Sequence, residues 1–250
     1  MTSVLSARDL GKSFGAVVAA SGLSMEVPAG QRVSLIGSNG AGKTTFVNMV
    51  TGYLKPDTGR ILLEGRDITA LAPRRISRMG VSRSFQIPQL CIELTALENM
   101  LVALAASDPG GRLSFWKPAH ADDQRIRAEE LLDRFGLAEY ADRPVTELPG
   151  GVRKLLDIAM ALTGRPRLLL LDEPTSGVSA EEKFPMMETV MGALARESVT
   201  VLFVEHDMDI VTRYADRVVA FFNGRIIADD PPDRVLDDPE VQRYVTGTAR

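Results

Sequence analysis

A single cysteine, Cys91, occurs among the 250 residues, which rules out an intramolecular disulfide and fits a reducing compartment. A basic excess is missing too: 29 Lys and Arg stand against 33 Asp and Glu, for a formal charge of -4. A general nucleic-acid binder needs the opposite balance to displace counterions, so no nucleic-acid partner is expected. Apolar runs are short. Residues 168–171 and 218–222 are among the longest, far below the roughly 18 residues of a membrane-spanning helix. The opening segment, from Met1 to Ser13, lacks a basic head followed by a continuous apolar stretch, so no secretory signal is expected. No internal repeat, heptad series or low-complexity tract is visible. With 45% hydrophobic and 25% charged residues, the composition is that of a soluble protein. The length suits one large α/β domain, or a core with a small appendage. A soluble cytoplasmic protein is the expectation.

Residues 3–36 read as short strands separated by turns. Leu23, Met25 and Val27 alternate with polar or small residues, as in a half-buried strand. After Pro28-Ala29-Gly30, residues 32–36 read as a strand running into a glycine-rich turn, and residues 44–50 suit a helix. Asp57-Thr58-Gly59 is a turn before a short strand pair around Ile61 to Leu63. From about 95 to 164 the texture is helical, with helices over 95–106 and 121–135. A loop over 107–119 separates them and contains the only tryptophan, Trp116. Strands return at 168–171, 199–204 and 218–222, with helical segments between. Alternating strands and helices predict a mainly parallel sheet covered on both faces, with the helical middle inserted into it.

Gly37-Ser38-Asn39-Gly40-Ala41-Gly42-Lys43-Thr44 fits G-x-x-x-x-G-K-[ST], the phosphate-binding P-loop. Glycines let successive N–H groups turn towards one anion. Lys43 is placed to reach the β- and γ-phosphates and the Thr44 hydroxyl to hold Mg²⁺, with a helix dipole behind. Leu168-Leu169-Leu170-Leu171-Asp172-Glu173 is a buried strand ending in two acids. Asp172 is placed to bind the magnesium, directly or through water, and Glu173 to polarise an attacking water. A nucleoside triphosphate is the expected ligand.

These residues resemble the ATP-binding-cassette ATPases over nearly the whole chain, 1–250. The resemblance implies a P-loop NTPase core, an N-terminal antiparallel β subdomain and an α-helical subdomain inserted at about 90–164. It implies that Phe14 stacks on adenine and that Gly37, Ser38, Asn39, Gly40, Ala41, Gly42, Lys43, Thr44 and Thr45 cradle the phosphates. Gln86, in Ser84-Phe85-Gln86-Ile87-Pro88, matches the Q-loop glutamine, which reaches the magnesium with Thr44 and Asp172 and senses a membrane subunit. Glu173 matches the catalytic glutamate and His206 the switch histidine, while Lys43 and His206 stabilise the transferred phosphoryl group. Ser176-Gly177-Val178-Ser179 stands at the D-loop, with a serine where an acid or amide is usual.

The family signature, Leu-Ser-Gly-Gly-Gln, reads Leu148-Pro149-Gly150-Gly151-Val152 here. In the family this segment closes over ATP held by the opposite subunit. Pro149 removes a hydroxyl and a backbone donor, and Val152 removes an amide. Gly150 and Gly151 survive as phosphate contacts, and proline is well tolerated in a helix's first turn. Either the glycine N–H groups suffice, or the site is weakened and the subunit works with a non-identical partner carrying an intact signature. The second reading is adopted, because charge-assisted contacts of about 1.5–3 kcal/mol each are lost.

Two stretches, Asp67 to Leu71 and Arg74 to Pro88, are similar to importer ATPases for branched-chain amino acids. So are Leu94 to Asn99 and Val204 to Met208. That resemblance implies two different ATPases, two membrane subunits and a solute-binding protein, with this chain peripheral on the cytoplasmic face of the membrane. Urea and short-amide importers and the lipopolysaccharide-export ATPase share the pattern, and a weakly catalytic regulatory subunit is a further alternative. Arg66, Arg74, Arg75, Arg78 and Arg83 are expected on a solvated surface. By the same resemblance Ile87, Pro88, Leu90, Ile92 and Leu94 line the groove that receives a membrane subunit.

Overall fold

The four leucines at 168–171 divide between two hydrophobic clusters. Leu169 and Leu171 enter one, and Leu168 and Leu170 enter the other. On the neighbouring strand Val201 and Phe203 join the first, and Leu202 and Val204 join the second. Successive side chains of a strand point to opposite faces, so a strand that is apolar throughout requires cover on both. The computed structural model, which describes residues 3–107, 118–197 and 199–247, shows what supplies that cover.

The chain begins with β1 (Ser3–Phe14), β2 (Val17–Pro28), β3 (Arg32–Gly37) and α1 (Lys43–Val50). There follow β4 (Thr58–Leu63), β5 (Arg66–Asp67), α2 (Pro73–Arg78) and β6 (Val81–Ser84). Three helices come next: α3 (Ala96–Ser107), α4 (Pro118–Arg134) and α5 (Gly150–Leu162). The second half alternates β7 (Leu168–Asp172), α6 (Ala180–Leu194), β8 (Thr200–Val204), α7 (Met208–Tyr214) and β9 (Arg217–Phe222). It ends with β10 (Arg225–Asp230), α8 (Pro232–Asp237) and α9 (Pro239–Val241), the last running into a π-helical turn at Gln242–Thr246.

Among the described residues β2-β1-β4-β5 form an antiparallel sheet, and β10-β9-β3-β8-β7-β6 form a second sheet that is parallel except at β10. One face of the second sheet packs with α1 and the antiparallel sheet, through residues such as Leu5, Val27, Phe46 and Val47. Its other face packs on α3, α4, α5 and α6, through Met100, Leu132, Phe135, Leu156 and Met187. The expected α/β class with a mainly parallel sheet is therefore what the chain adopts. No helix among the described residues is long and apolar enough to cross a membrane.

Some local expectations need correction. Residues 3–28 form one long hairpin of two 12-residue strands rather than several short strands. Register shifts near Ala7 and Leu10, with Asp9 at φ 51°, interrupt the alternation and make a continuous strand read as broken. Thr58 and Gly59 open β4 instead of forming a turn. The strands β6 and β10 were not expected: three of the four residues in Val81-Ser82-Arg83-Ser84 are polar, and β10 ends in two aspartates. At the two ends of the expected loop over 107–119, Ser107 closes α3 and Pro118 and Ala119 open α4; residues 108–117, Trp116 included, lie outside the described residues.

Candidate functional site

β3 lies between β8 and β9 in the sheet, with its carboxyl end at the position where open α/β sheets take their ligands. The loop leaving that end reaches α1 through backbone that only glycine accommodates. Gly37 has φ 151°, Gly40 80° and Gly42 108°. A Cβ on Gly37 would lie 2.5 Å from the Phe221 carbonyl oxygen, and one on Gly42 would lie 2.6 Å from that of Ala19. The loop is thus seated against β9 and β2, and Ala41 N–H donates back to Ser38 O at 3.1 Å. Lys43 is buried, and its Nζ donates to Gly37 O at 2.6 Å and Ser38 O at 3.1 Å. Burial pulls the Lys43 ammonium below its ordinary range, opposed by the charges of Glu173 and Asp172. Ser38, Asn39, Gly40 and Thr44 are exposed, and Thr45 is half-buried.

The acids at the end of β7 are held differently from each other. Asp172 is buried, and its Oδ2 accepts from Arg83 Nη2 at 2.5 Å. Arg83 Nη1 donates in turn to Asn48 Oδ1 on α1 at 2.7 Å. The Asp172 Oδ1 atom is left for another partner. Glu173 sits at φ 48°, a left-handed conformation that costs a non-glycine residue about 1–2 kcal/mol and concentrates at functional sites. Its amide donates to Val204 O at 3.0 Å, which pins the turn to β8. Its carboxylate is bracketed: Gln86 Nε2 donates to Oε2 at 2.7 Å, and His206 Nε2 lies 3.2 Å from Oε1. Three residues far apart in sequence therefore meet on one carboxylate.

Phe14 lies at the tip of the β1–β2 hairpin, 51% exposed, with Lys12 Nζ 5.7 Å from its ring centroid. The close approach of Ala19 to Gly42 carries that hairpin to the P-loop. Gly150 is exposed and Gly151 half-buried. They open α5 behind Pro149, whose φ of −56° and ψ of 153° suit the residue before a helix, and nothing crowds either glycine. Val152 packs partly into the helical cluster, an apolar role its lost amide had concealed. At the D-loop Ser176, Gly177 and Ser179 are exposed.

Arg83 corrects the expectation of a solvated arginine: its side chain is 9% exposed, whereas Arg66, Arg74, Arg75 and Arg78 are exposed as expected. Pairing of β6 with β7 sets Arg83 beside Leu170, and nothing local in the sequence announces that pairing. Glu205 was also passed over as a site residue. It is buried, its Oε1 accepts from Thr175 Oγ1 at 2.5 Å and Thr175 N at 3.1 Å, and its Oε2 accepts from His206 N at 2.9 Å. It ties the D-loop to the His206 turn. Lys154 and Asp157, both buried on α5, reach the Gln86 loop.

Among the described residues no cluster of three or more His, Cys, Asp or Glu could hold a metal. The donors present are the Thr44 hydroxyl, the Asp172 Oδ1 and the Gln86 amide oxygen. All are hard oxygens, and such a sparse set fits Mg²⁺ bound together with phosphate oxygens.

The sequence profile of the ABC transporter family matches residues 20–176. This chain belongs to the ABC transporter family. The cassette is 36% identical over 251 residues to the high-affinity branched-chain amino acid transport ATP-binding protein BraF of Pseudomonas aeruginosa, across 98% of each chain. LivG of Escherichia coli K12, of the same description, gives the same identity and coverage. Among solved structures it is similar to MJ1267, an ATP-binding cassette of an ABC transporter, in its ADP conformation. There the TM-score is 0.85 at 34% identity, over 97% of this chain and 98% of that one. As a cassette of this family the chain is an ATP-binding, ATP-hydrolysing subunit of a membrane transporter.

Proposed function

We propose that this cassette hydrolyses ATP with Mg²⁺ to drive an importer of branched-chain amino acids or related small amides. The observation that carries the catalytic part is the meeting of Gln86 and His206 on the Glu173 carboxylate, beside the P-loop. The substrate class is supported by relatives of that description matched along 98% of the chain.

In this reading Phe14 stacks on the adenine, and residues Gly37 to Thr45 enclose the phosphates. Thr44, Asp172 and Gln86 hold the cation, which when bound neutralises charge on the phosphate oxygens. Glu173 orients the attacking water and accepts its proton. Lys43 and His206 stabilise charge that develops on the transferred phosphoryl group. Lys43 already carries carbonyl partners inside the loop, so it is preorganised for this role. Residues 1–250 act as one cassette domain, with about 90–164 as its helical subdomain.

Two membrane subunits complete the assembly, with a solute-binding protein acting through them. A second ATPase of different sequence supplies an intact signature to this chain's ATP, while Gly150 and Gly151 face the partner's. The chain sits on the cytoplasmic face of the membrane. Tyr53, Ile87 and Ile92 are 61%, 74% and 59% exposed, an apolar group suited to a membrane subunit's docking helix. Gentle-detergent purification of the tagged chain from its native membranes, with mass spectrometry of what is retained, tests this. Two distinct membrane subunits and a second ATPase with an intact signature are expected. A homodimer of this chain on an export-type membrane pair would overturn it.

A further inference from the structure

No helix or strand holds the chain between β6 and α3, yet the conformation of this segment decides whether Gln86 meets Glu173. Four backbone groups of the segment are held by two side chains of α5. Asp157 Oδ2 accepts from Phe85 N and Oδ1 from Gln89 N, each at 3.0 Å. Lys154 Nζ donates to Phe85 O at 3.0 Å and Gln86 O at 2.7 Å. The two residues are three apart on the helix and so share a face. Gln86 is fastened on both sides.

The third contact of Lys154 is with Asp172 O at 3.4 Å, the residue before Glu173. One ammonium therefore touches the backbone of Gln86 and the backbone next to Glu173, whose side chains meet at 2.7 Å. Its three donors are matched by three carbonyls, and both Asp157 oxygens are used. Lys154 and Asp157 are 3% and 6% exposed. Burial draws Lys154 down from its ordinary range and pushes Asp157 up, so the charges are held in place against their desolvation. Buried charges of this kind contribute little net stability compared with apolar side chains, which favours a role in position. The helix that bears them begins at Gly150, one turn before Lys154.

We propose that Lys154 and Asp157 are positioning residues that set the separation of Gln86 from Glu173 and fix it to the helix carrying the signature glycines. The inference rests on the hydrolytic role given to Glu173 above. A displacement of α5 then moves Gln86 with it, so this chain's own site and the surface it offers its partner are geared together.

The test uses the full chain and the assembled complex. In the full chain, hydrogen exchange resolved to single amides should show the Phe85 and Gln89 amides about tenfold faster in Asp157→Ala, with β3 and α1 unchanged. In the complex, Lys154→Met should lower kcat about tenfold or more, with KM for ATP within about threefold. Lys154→Met combined with Asp157→Leu leaves no unpaired buried charge, and should melt near the native temperature while keeping the low kcat. Unchanged exchange at Phe85 and Gln89, or native kcat in either Lys154 variant, would overturn the proposal. A wild-type complex without ATP turnover would refute the transporter reading instead, with the exchange result still deciding whether α5 holds the loop.

Discussion

At the scale of single residues the proposed chemistry centres on Glu173, where a left-handed backbone and two side-chain partners converge on one carboxylate. Glu173→Gln keeps the shape and one oxygen to accept from Gln86, but cannot take up a proton. Affinity for a fluorescent ATP analogue should stay within about threefold, while phosphate release falls about 10²–10⁴-fold. Substantial residual hydrolysis would refute the assignment. Arg83 carries a separate prediction. Arg83→Met leaves Asp172 buried and unpaired, and removing one member of a buried pair costs about 3–5 kcal/mol, read in urea unfolding. Arg83→Met with Asp172→Leu should recover most of that stability. Glycines, acids and the lysine of the P-loop were legible because their spacing is local. Arg83, Lys154 and Asp157 were not, because their partners lie 89, 68 and 72 residues away in sequence.

Individual elements were legible where one physical rule dominates. A purely apolar run marked β7 and alternation marked the end of β2, while the start of α5 was legible only through the family signature. Polar edge strands such as β6 escaped, since only pairing with β7 defines them. Within α6, Pro185 is exposed at the sixth position, where its missing N–H leaves a turn of the helix without its bond. Pro185→Ala should stabilise the chain by about 1 kcal/mol or more, raising Tm by roughly 2–4 °C in a domain of this size. A lower Tm would contradict this and would mean that Pro185 supports the pairing of Lys183 with Asp207 at 2.8 Å.

For the whole molecule, the two faces of one sheet are covered by different elements. One face carries the P-loop helix and the other carries α5, which begins at the exposed Gly150 and the half-buried Gly151. Pro149 is one of the points at which the signature departs from the family, and its proposed consequence lies in the assembly. Pro149→Ser restores a hydroxyl and a donor to the partner's phosphate site. ATP turnover of the complex should rise about tenfold or more, in line with about 1.5–3 kcal/mol for a charge-assisted bond; no change would mean that the glycine N–H groups suffice. The central claim is that hydrolysis at Glu173 powers import. ATP hydrolysis and leucine uptake are to be measured together in vesicles holding the complete complex. Both should rise when leucine-loaded binding protein is added, and both should collapse with Glu173→Gln in this chain. Uptake that persists in that variant, or hydrolysis indifferent to the loaded binding protein, would contradict the account.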